Sequence, residues 1–157
     1  MNTIIKFPDE RLREVSMSVK LPLSKEDKTL LDEMYSWVKE HNDEAVGLSA
    51  IQVGVAKRMC AIRITGDKTI GYKLVNPKVV RHSAKKLGRP EGCLSVPEDH
   101  DEPIPRWESI IVMAFDAIQN KNIIINASGW EARVLQHEID HMDGILYIDY
   151  INEGEEQ

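Results

Sequence analysis

The sequence has 157 residues, of which 42% are hydrophobic and 29% are charged, a composition typical of a globular chain with a substantial buried core. The formal net charge of −6 argues against broad nucleic-acid binding, which requires a basic face, and no run of 18 apolar residues is present to span a membrane. Two cysteines, Cys60 and Cys93, are too few for a disulfide scaffold.

The N-terminal stretch MNTIIKFPDERLREVS lacks the basic region, long apolar run and small-residue cleavage site of a signal peptide. We therefore expect a cytoplasmic protein with reduced cysteines. The chain contains no internal repeat and no convincing interdomain linker, so residues 1–157 are expected to form one domain. The acidic tail, residues 152–157, is expected to be frayed.

The first predicted element is an amphipathic helix that begins after Ser24. Ser24 and Asp27 have the spacing of a capping box, with an acidic first turn. One apolar stripe follows at helical spacing and fades around residues 41–44. It consists of Leu30, Leu31, Met34, Trp37 and Val38.

From Lys57 onward the pattern changes to short β-prone runs. KRMCAIRIT, IGYKLVN and PKVVRHSA are separated by Gly-Asp and Asn-Pro turn signals. After Arg106, WESIIVMAFDA and NIIIN flank the polar segment IQNKN and predict a hairpin.

A second helix is expected from about Gly129 to Gly144. Ser128 and Glu131 have the spacing of a capping box, and Gly144 suits a C-terminal cap. A helix, several antiparallel strands and a second helix together predict an α+β fold.

The second helix contains the pentad His137-Glu-Ile-Asp-His141. Residues i and i+4 of a helix lie on one face, one turn apart, so both imidazoles can bind one metal ion. Glu138 projects near that face, where it can accept a proton from a metal-bound water. The alternative is a pair of surface histidines, and chance produces the pattern in roughly one or two chains in a hundred of this length.

A catalytic metal of this kind normally takes three protein ligands, and the pentad supplies two. The extended pattern His-Glu-x-x-His-x-x-Gly-x-x-His is ruled out, because Tyr147 occupies the position of its last histidine. Glu153, Glu155 and Glu156 follow in the acidic tail, which is too short for the later helix of a thermolysin-like site. We therefore expect the third ligand upstream of the pentad.

Cys93 in RPEGCLSVPE is the strongest candidate for that ligand. It follows Gly92 and a Pro-Glu pair, in an irregular stretch where the backbone is shaped rather than extended. The alternative is a buried thiol, since free cysteine is among the most buried residue types. Cys60, in the middle of a predicted strand, is expected to be such a core thiol.

These motifs resemble those of the peptide deformylases. AVGLSAIQ at residues 45–52 stands in place of the family signature Gly-x-Gly-x-Ala-Ala-x-Gln, EGCLS is intact at residues 91–95, and QHEIDH is intact at residues 136–141. FPDERLR near the start and GILYIDY near the end agree with the family as well. The resemblance therefore covers nearly the whole chain.

The resemblance implies antiparallel strands packed around a central metal-binding helix. It implies that Cys93, His137 and His141 bind one catalytic divalent metal ion, with a water in the fourth position. Fe2+ is the metal expected in the cell, whereas Zn2+, Ni2+ or Co2+ also suit these ligands in purified protein.

The implied reaction removes the formyl group from the N-formylmethionine of a newly made polypeptide and releases formate. The nucleophile is the metal-bound water, with Glu138 as general base and then general acid. The oxyanion donors implied by the family are the Gln52 side-chain amide and the Leu94 backbone N–H.

Three further residues are expected to bind substrate. Gly47 leaves room for the substrate backbone. Val46 and Val134 are candidates for the wall of a methionine slot, although core packing explains either one equally well. Arg106 either pairs with Glu91 or Asp140 beneath the metal site or is a solvated strand residue.

Two positions depart from the first family signature. Ala45 replaces a glycine, which costs about 1 kcal/mol or more if that position requires a positive φ. Ser49 replaces an alanine and adds a hydroxyl group that needs a partner if it is buried.

Two other functions compete with deformylation. A metallopeptidase that cuts internal peptide bonds shares the chemistry, but the intact EGCLS segment argues against it. A non-enzymatic metal-binding module has no use for the general base Glu138. We expect formylmethionyl nascent peptides as partners and no direct contact with nucleic acid or membrane. The ribosome is a further candidate partner, although the sequence has no long basic C-terminal helix for docking on it.

Overall fold

Seven antiparallel strands form two sheets. The structure is a computed structural model that describes residues 3–152 and the side chains of residues 3–151. The strands are β1 (Gly47–Ser49), β2 (Met59–Ile64), β3 (Ile70–His82), β4 (Lys86–Arg89), β5 (Ile104–Trp107), β6 (Ser109–Asp116) and β7 (Lys121–Ser128). The larger sheet has the order β1-β2-β3-β6-β7, and β4 pairs with β5. Residues 153–157 of the predicted frayed tail, with the three glutamates considered above, lie outside the described residues.

Strand β3 corrects one prediction. The Asn-Pro pair at residues 76–77 was expected to separate two strands, but one strand of 13 residues runs through it. Asn76 adopts a φ of 51°, and the pairing of β3 with β6 shifts register between Val75 and Lys78. The Asn76 side chain exchanges hydrogen bonds with the Val19 backbone. The pair therefore forms a bulge, because tertiary hydrogen bonds stabilise the irregular residue within the strand.

The N-terminal helix α1 (Lys25–Glu40) has the expected cap. The Ser24 hydroxyl accepts a hydrogen bond from the Asp27 N–H at 3.1 Å. Its buried stripe, which includes Leu31 and Met34, packs against one face of the larger sheet. Alternate residues of β2 face opposite sides, so Met59 contacts the α1 side.

The second long helix, α2 (Gly129–Met142), covers the other face of that sheet. Its first turn differs from the prediction, because the Ser128 side chain makes no capping hydrogen bond. Glu131 instead accepts a hydrogen bond from the Tyr72 hydroxyl at 2.8 Å. The long-range partner thus replaces the local one, and the predicted capping box is wrong.

Helix α2 also lies against the two-stranded sheet. The Gln136 amide pairs with both the backbone N–H and the carbonyl of Trp107, each at 3.0 Å. The Arg133 guanidinium donates to the carbonyls of Leu87 and Ile104. Two 3-10 helices (Glu10–Arg13, Ala50–Val53) and a short helix α3 (Asp149–Asn152) complete the elements. In the described part of the chain, every helix is too short or too polar to cross a membrane.

Gly144 provides a test of how α2 ends. It follows the C-cap residue Asp143 with a φ of 73°, and a Cβ atom there would overlap the backbone of Arg13. Gly144→Ala should therefore lower the free energy of unfolding by at least about 2 kcal/mol, measured by urea denaturation.

Gly66→Ala is the matched control, because Gly66 has no positive φ and the nearest atom to its added Cβ lies 3.9 Å away. That substitution should be neutral or slightly stabilising. Equal losses in the two variants would contradict this account of the helix end.

Candidate active site and metal centre

Three segments bring the predicted site residues together. Strand β1 and the following 3-10 helix carry Gly47 and Gln52. The irregular segment between β4 and β5 carries Cys93, and α2 carries His137 and His141. Site residues that are far apart in the sequence thus lie together where α2 packs against both sheets.

The side chains of Cys93, His137 and His141 form a compact cluster. Their ligand atoms lie within 4.8 Å of one another, and Sγ of Cys93 is 3.3 Å from Nε2 of His141. Ligands at about 2.0–2.3 Å from a tetrahedral ion lie roughly 3.5 Å apart, so these three atoms fit around one metal ion. Within residues 3–152 it is the only such cluster of His, Cys, Asp or Glu side chains.

A buried carboxylate fixes the orientation of the first histidine. Oε1 of Glu91 lies 2.8 Å from Nδ1 of His137. Because Nδ1 is occupied, Nε2 of His137 is the nitrogen left for a metal. His141 differs, since its Nδ1 is buried and has no hydrogen-bond partner among the described residues.

Two arginines hold Glu91 in turn. Arg106 donates to both carboxylate oxygens, at 2.8 and 2.9 Å, and Arg133 donates to Oε2 at 2.7 Å. The Arg106 side chain is 3% exposed and also pairs with Asp140, which accepts a hydrogen bond from the Tyr150 hydroxyl. Of the two interpretations left open for Arg106, the structure shows the buried ion pair.

Charges in this network determine where protons lie. Burial alone would raise the pKa of Glu91, but hydrogen bonds from Arg106 and His137 lower it well below the ordinary range. Burial likewise opposes ionisation of Cys93, yet the neighbouring His141 and His137 lower the pKa of its thiol. Glu91 therefore stays an acceptor, and Cys93 is predisposed to be a thiolate.

Cys60 shows the opposite behaviour. It is 1% exposed in the hydrophobic core between the sheet and α2, and burial raises the pKa of its thiol well above the ordinary value. The prediction that Cys60 is a core thiol is confirmed.

Glu138 is buried between α2 and β1. Its Oε2 accepts a hydrogen bond from the Ser49 hydroxyl at 2.7 Å. A Cβ atom on Gly47 would overlap the Oε1 atom, so only glycine allows this carboxylate to lie against β1. Burial raises the pKa of Glu138, which moves it toward the range of a general base at neutral pH.

The Gln52 amide is fixed at both ends. Its oxygen accepts from the Ser49 backbone N–H at 2.9 Å, and its nitrogen donates to Ser95 Oγ at 3.1 Å. The same nitrogen lies 3.7 Å from Cys93 Sγ. One amide hydrogen is therefore donated to Ser95, and the other is directed at the cluster of ligand atoms.

A cavity of about 500 Å³ opens above these groups. Val46, Gly47 and Leu94 line it together with Val134, which is 4% exposed and also contacts the core. Both alternatives considered for Val134, cavity wall and core packing, thus describe its position.

Ala45 avoids the strain that its glycine position suggested. Within the described chain, the only non-glycine residues with positive φ are Asn76 and Asn120. Ala45 donates its N–H to the His41 carbonyl and accepts from the Asn42 side chain. These contacts with the end of α1 hold the segment in an ordinary conformation.

Three residues of the site were not predicted from the sequence. Trp130 lines the cavity and is 53% exposed, and its spacing to Val134 and His137 on α2 could have revealed it. Arg133 pairs with Glu91, although no pattern distinguishes it from a surface arginine. Lys6 lines the cavity and donates to the Leu94 carbonyl, a contact across 88 positions that local patterns do not reveal.

Comparison with known proteins gives one consistent result. The family described as polypeptide deformylase matches residues 1–157. Peptide deformylase 2 of Bacillus cereus is 37% identical over 166 residues, covering 97% of this chain and 90% of the relative. Among the solved structures, a Legionella pneumophila peptide deformylase has a TM-score of 0.85 at 37% identity and covers 96% of this chain and 85% of its own.

A peptide deformylase from Acinetobacter baumannii, solved with Met-Ala-Ser bound, has a TM-score of 0.84 at 27% identity. The match covers 96% of this chain and 98% of that one. These likenesses confirm the α+β fold with antiparallel sheets.

Glu91→Gln tests the role of the buried carboxylate. The substitution removes the charge that fixes His137 and should weaken the affinity for a divalent metal by about 10- to 100-fold, measured by competition with a chelator. Glu108→Gln, which removes an exposed carboxylate paired with Lys85, is the control and should leave the affinity unchanged. Wild-type affinity in Glu91→Gln would refute the role of Glu91.

Proposed function

The chain belongs to the polypeptide deformylase family, and we propose which of its residues carry out the family's reaction. The chain removes the formyl group from the N-terminal methionine of newly made polypeptides and releases formate. The observation that carries the assignment of residues is the cavity, at which the ligand cluster meets the Glu138 carboxylate and the Gln52 amide.

Sγ of Cys93 and Nε2 of both His137 and His141 are the proposed ligands of one divalent metal ion. Their mutual distances and the Glu91 contact to His137 support this assignment. We propose Fe2+ as the metal in the cell, with Zn2+, Ni2+ and Co2+ also suited to one thiolate and two imidazoles. Helix α2 is then the metal-binding element around which the strands pack.

When bound, such an ion polarises the formyl carbonyl and lowers the pKa of a neighbouring water. Glu138 takes a proton from the attacking water and delivers it to the nitrogen of the departing methionine amine. Its burial and its contact with β1 support this role, because they hold the carboxylate at the cavity wall.

The tetrahedral intermediate carries a negatively charged oxygen that needs hydrogen-bond donors. We assign the Gln52 amide and the Leu94 backbone N–H to that oxygen. The fixed amide of Gln52 supports its part, because no rotation is needed before it donates. Such preorganisation is the main source of oxyanion stabilisation.

The substrate peptide occupies the cavity beside β1. Gly47 contacts the peptide through its own backbone, because the Glu138 carboxylate fills the space of the missing side chain. Val46 and Val134 form the wall for the methionine side chain. The Acinetobacter baumannii relative binds Met-Ala-Ser, and a peptide with the same N-terminal residue is the expected product here. We propose that residues 1–157 form a single catalytic domain that acts on nascent peptides in the cytoplasm.

Glu138→Gln is the direct test of the proposed base. Formate release from a short formylmethionyl peptide, by protein loaded anaerobically with Fe2+, should fall by about 10²- to 10⁴-fold while one metal per chain is retained. Glu131→Gln changes a glutamate of the same helix outside the cavity and should keep the wild-type rate.

A metal-loaded Glu138→Gln variant with wild-type turnover would show that another group moves the proton. A loss of metal in that variant would instead assign Glu138 to metal binding.

A further inference from the structure

Ser49 occupies the position at which the family signature has alanine. Its side chain is completely buried, and the hydroxyl oxygen lies 2.7 Å from Oε2 of Glu138 and 3.0 Å from the Glu138 backbone carbonyl. The added hydroxyl has thus acquired partners on the residue proposed as the general base.

We infer that Ser49 is a positioning residue for the reaction. By holding Oε2 of Glu138, it leaves Oε1 as the oxygen that accepts the proton from the attacking water. The inference rests on the proposed role of Glu138 as general base.

The geometry of β1 supports this assignment. Gly47 and Ser49 are two residues apart on one strand, so they face the same side. The space left by the missing Gly47 side chain holds Oε1, and the Ser49 hydroxyl holds Oε2. The two contacts restrict rotation of the carboxylate about its last bond.

The strand itself is fixed by hydrogen bonds. Ser49 pairs with Cys60 of β2, and its N–H donates to the Gln52 oxygen. One residue therefore orients both the proposed base, through its side chain, and the proposed oxyanion donor, through its backbone.

A hydroxyl group suits a base that gains and loses a proton in each turnover. It donates to Oε2 of the carboxylate, and it still donates to Oε2 when Oε1 carries the proton, because Oε2 is then the carbonyl oxygen of the acid. The Glu138 backbone carbonyl, 3.0 Å from the same hydroxyl oxygen, is a second acceptor. The contact between the two side chains is thereby kept throughout the reaction.

The test is a kinetic comparison of Ser49→Ala with the wild type, using Fe2+-loaded protein and a formylmethionyl peptide. We expect kcat to fall roughly 10-fold, the effect of losing a hydrogen bond to a charged group. KM should stay within about twofold and the metal content should not change, because neither the cavity wall nor the ligands are altered.

Ser16→Ala is the matched control. Ser16 is another buried serine, outside the cavity, and its hydroxyl has no hydrogen-bond partner in the described part of the chain. Its removal should leave kcat, KM and metal content at wild-type values.

A second comparison separates positioning from a structural role. In a Glu138→Gln background, assayed at high enzyme concentration, adding Ser49→Ala should cause no further fall in kcat. The inference would be overturned if Ser49→Ala lowered kcat equally in the wild-type and Glu138→Gln backgrounds. It would also be overturned if Ser49→Ala alone kept the wild-type kcat. Either result would leave Glu138 as the proposed base. Wild-type kcat in Glu138→Gln alone would overturn the proposed base and this inference with it.

Discussion

The active site depends on the ion pairs and hydrogen bonds made by the buried carboxylate of Glu91. This carboxylate lies between the guanidinium groups of Arg106 and Arg133 and fixes Nδ1 of His137. Removing one partner of such a buried network costs about 3–5 kcal/mol, because the remaining charges stay buried without compensation. The depressed pKa of Glu91 means that its stabilising contribution is present above the ordinary carboxyl pKa and is lost as the pH falls toward the folded-state value.

The same network joins the elements that build the cavity. Arg133 connects α2 to β4 and β5, while Arg106 connects β5 to Asp140 of α2. The segment that carries Cys93 is held between these connections. The positions of the proposed metal ligands and the packing of α2 against the smaller sheet are therefore coupled.

Helix α2 serves the core and the active site with different faces. Leu135 and Met142 are fully buried against the larger sheet, whereas His137 and Glu138 line the cavity. This division follows from the helical period of 3.6 residues. Because Glu138 is held against β1, the helix and the edge strand together define the position of the proposed base.

Patterns local in sequence predicted much of this arrangement. The cap at Ser24 and the apolar stripe of α1 were confirmed, as was the hairpin of β6 and β7. The predictions failed where distant residues compete for a local partner. The Glu131 carboxylate accepts a hydrogen bond from Tyr72 and does not form the expected capping box. A hydrogen bond from the Val19 backbone stabilises Asn76 within β3.

The metal ligands could be proposed from the spacing of His137 and His141 and from the motif around Cys93. The partner of Ser49 could not be predicted, because the sequence shows only that a hydroxyl group is present and not which group lies opposite it. The same holds for Arg133, whose partners lie on three other segments. Such contacts depend on tertiary packing, which local spacing does not encode.

The most direct test of the proposed metal centre is X-ray absorption spectroscopy of protein loaded with one zinc ion per chain. We expect one sulfur neighbour and two imidazole groups, with the sulfur signal lost in Cys93→Ser and kept in Cys60→Ser. A centre without sulfur in the wild type, or a sulfur signal that survives Cys93→Ser, would contradict the proposed ligand set.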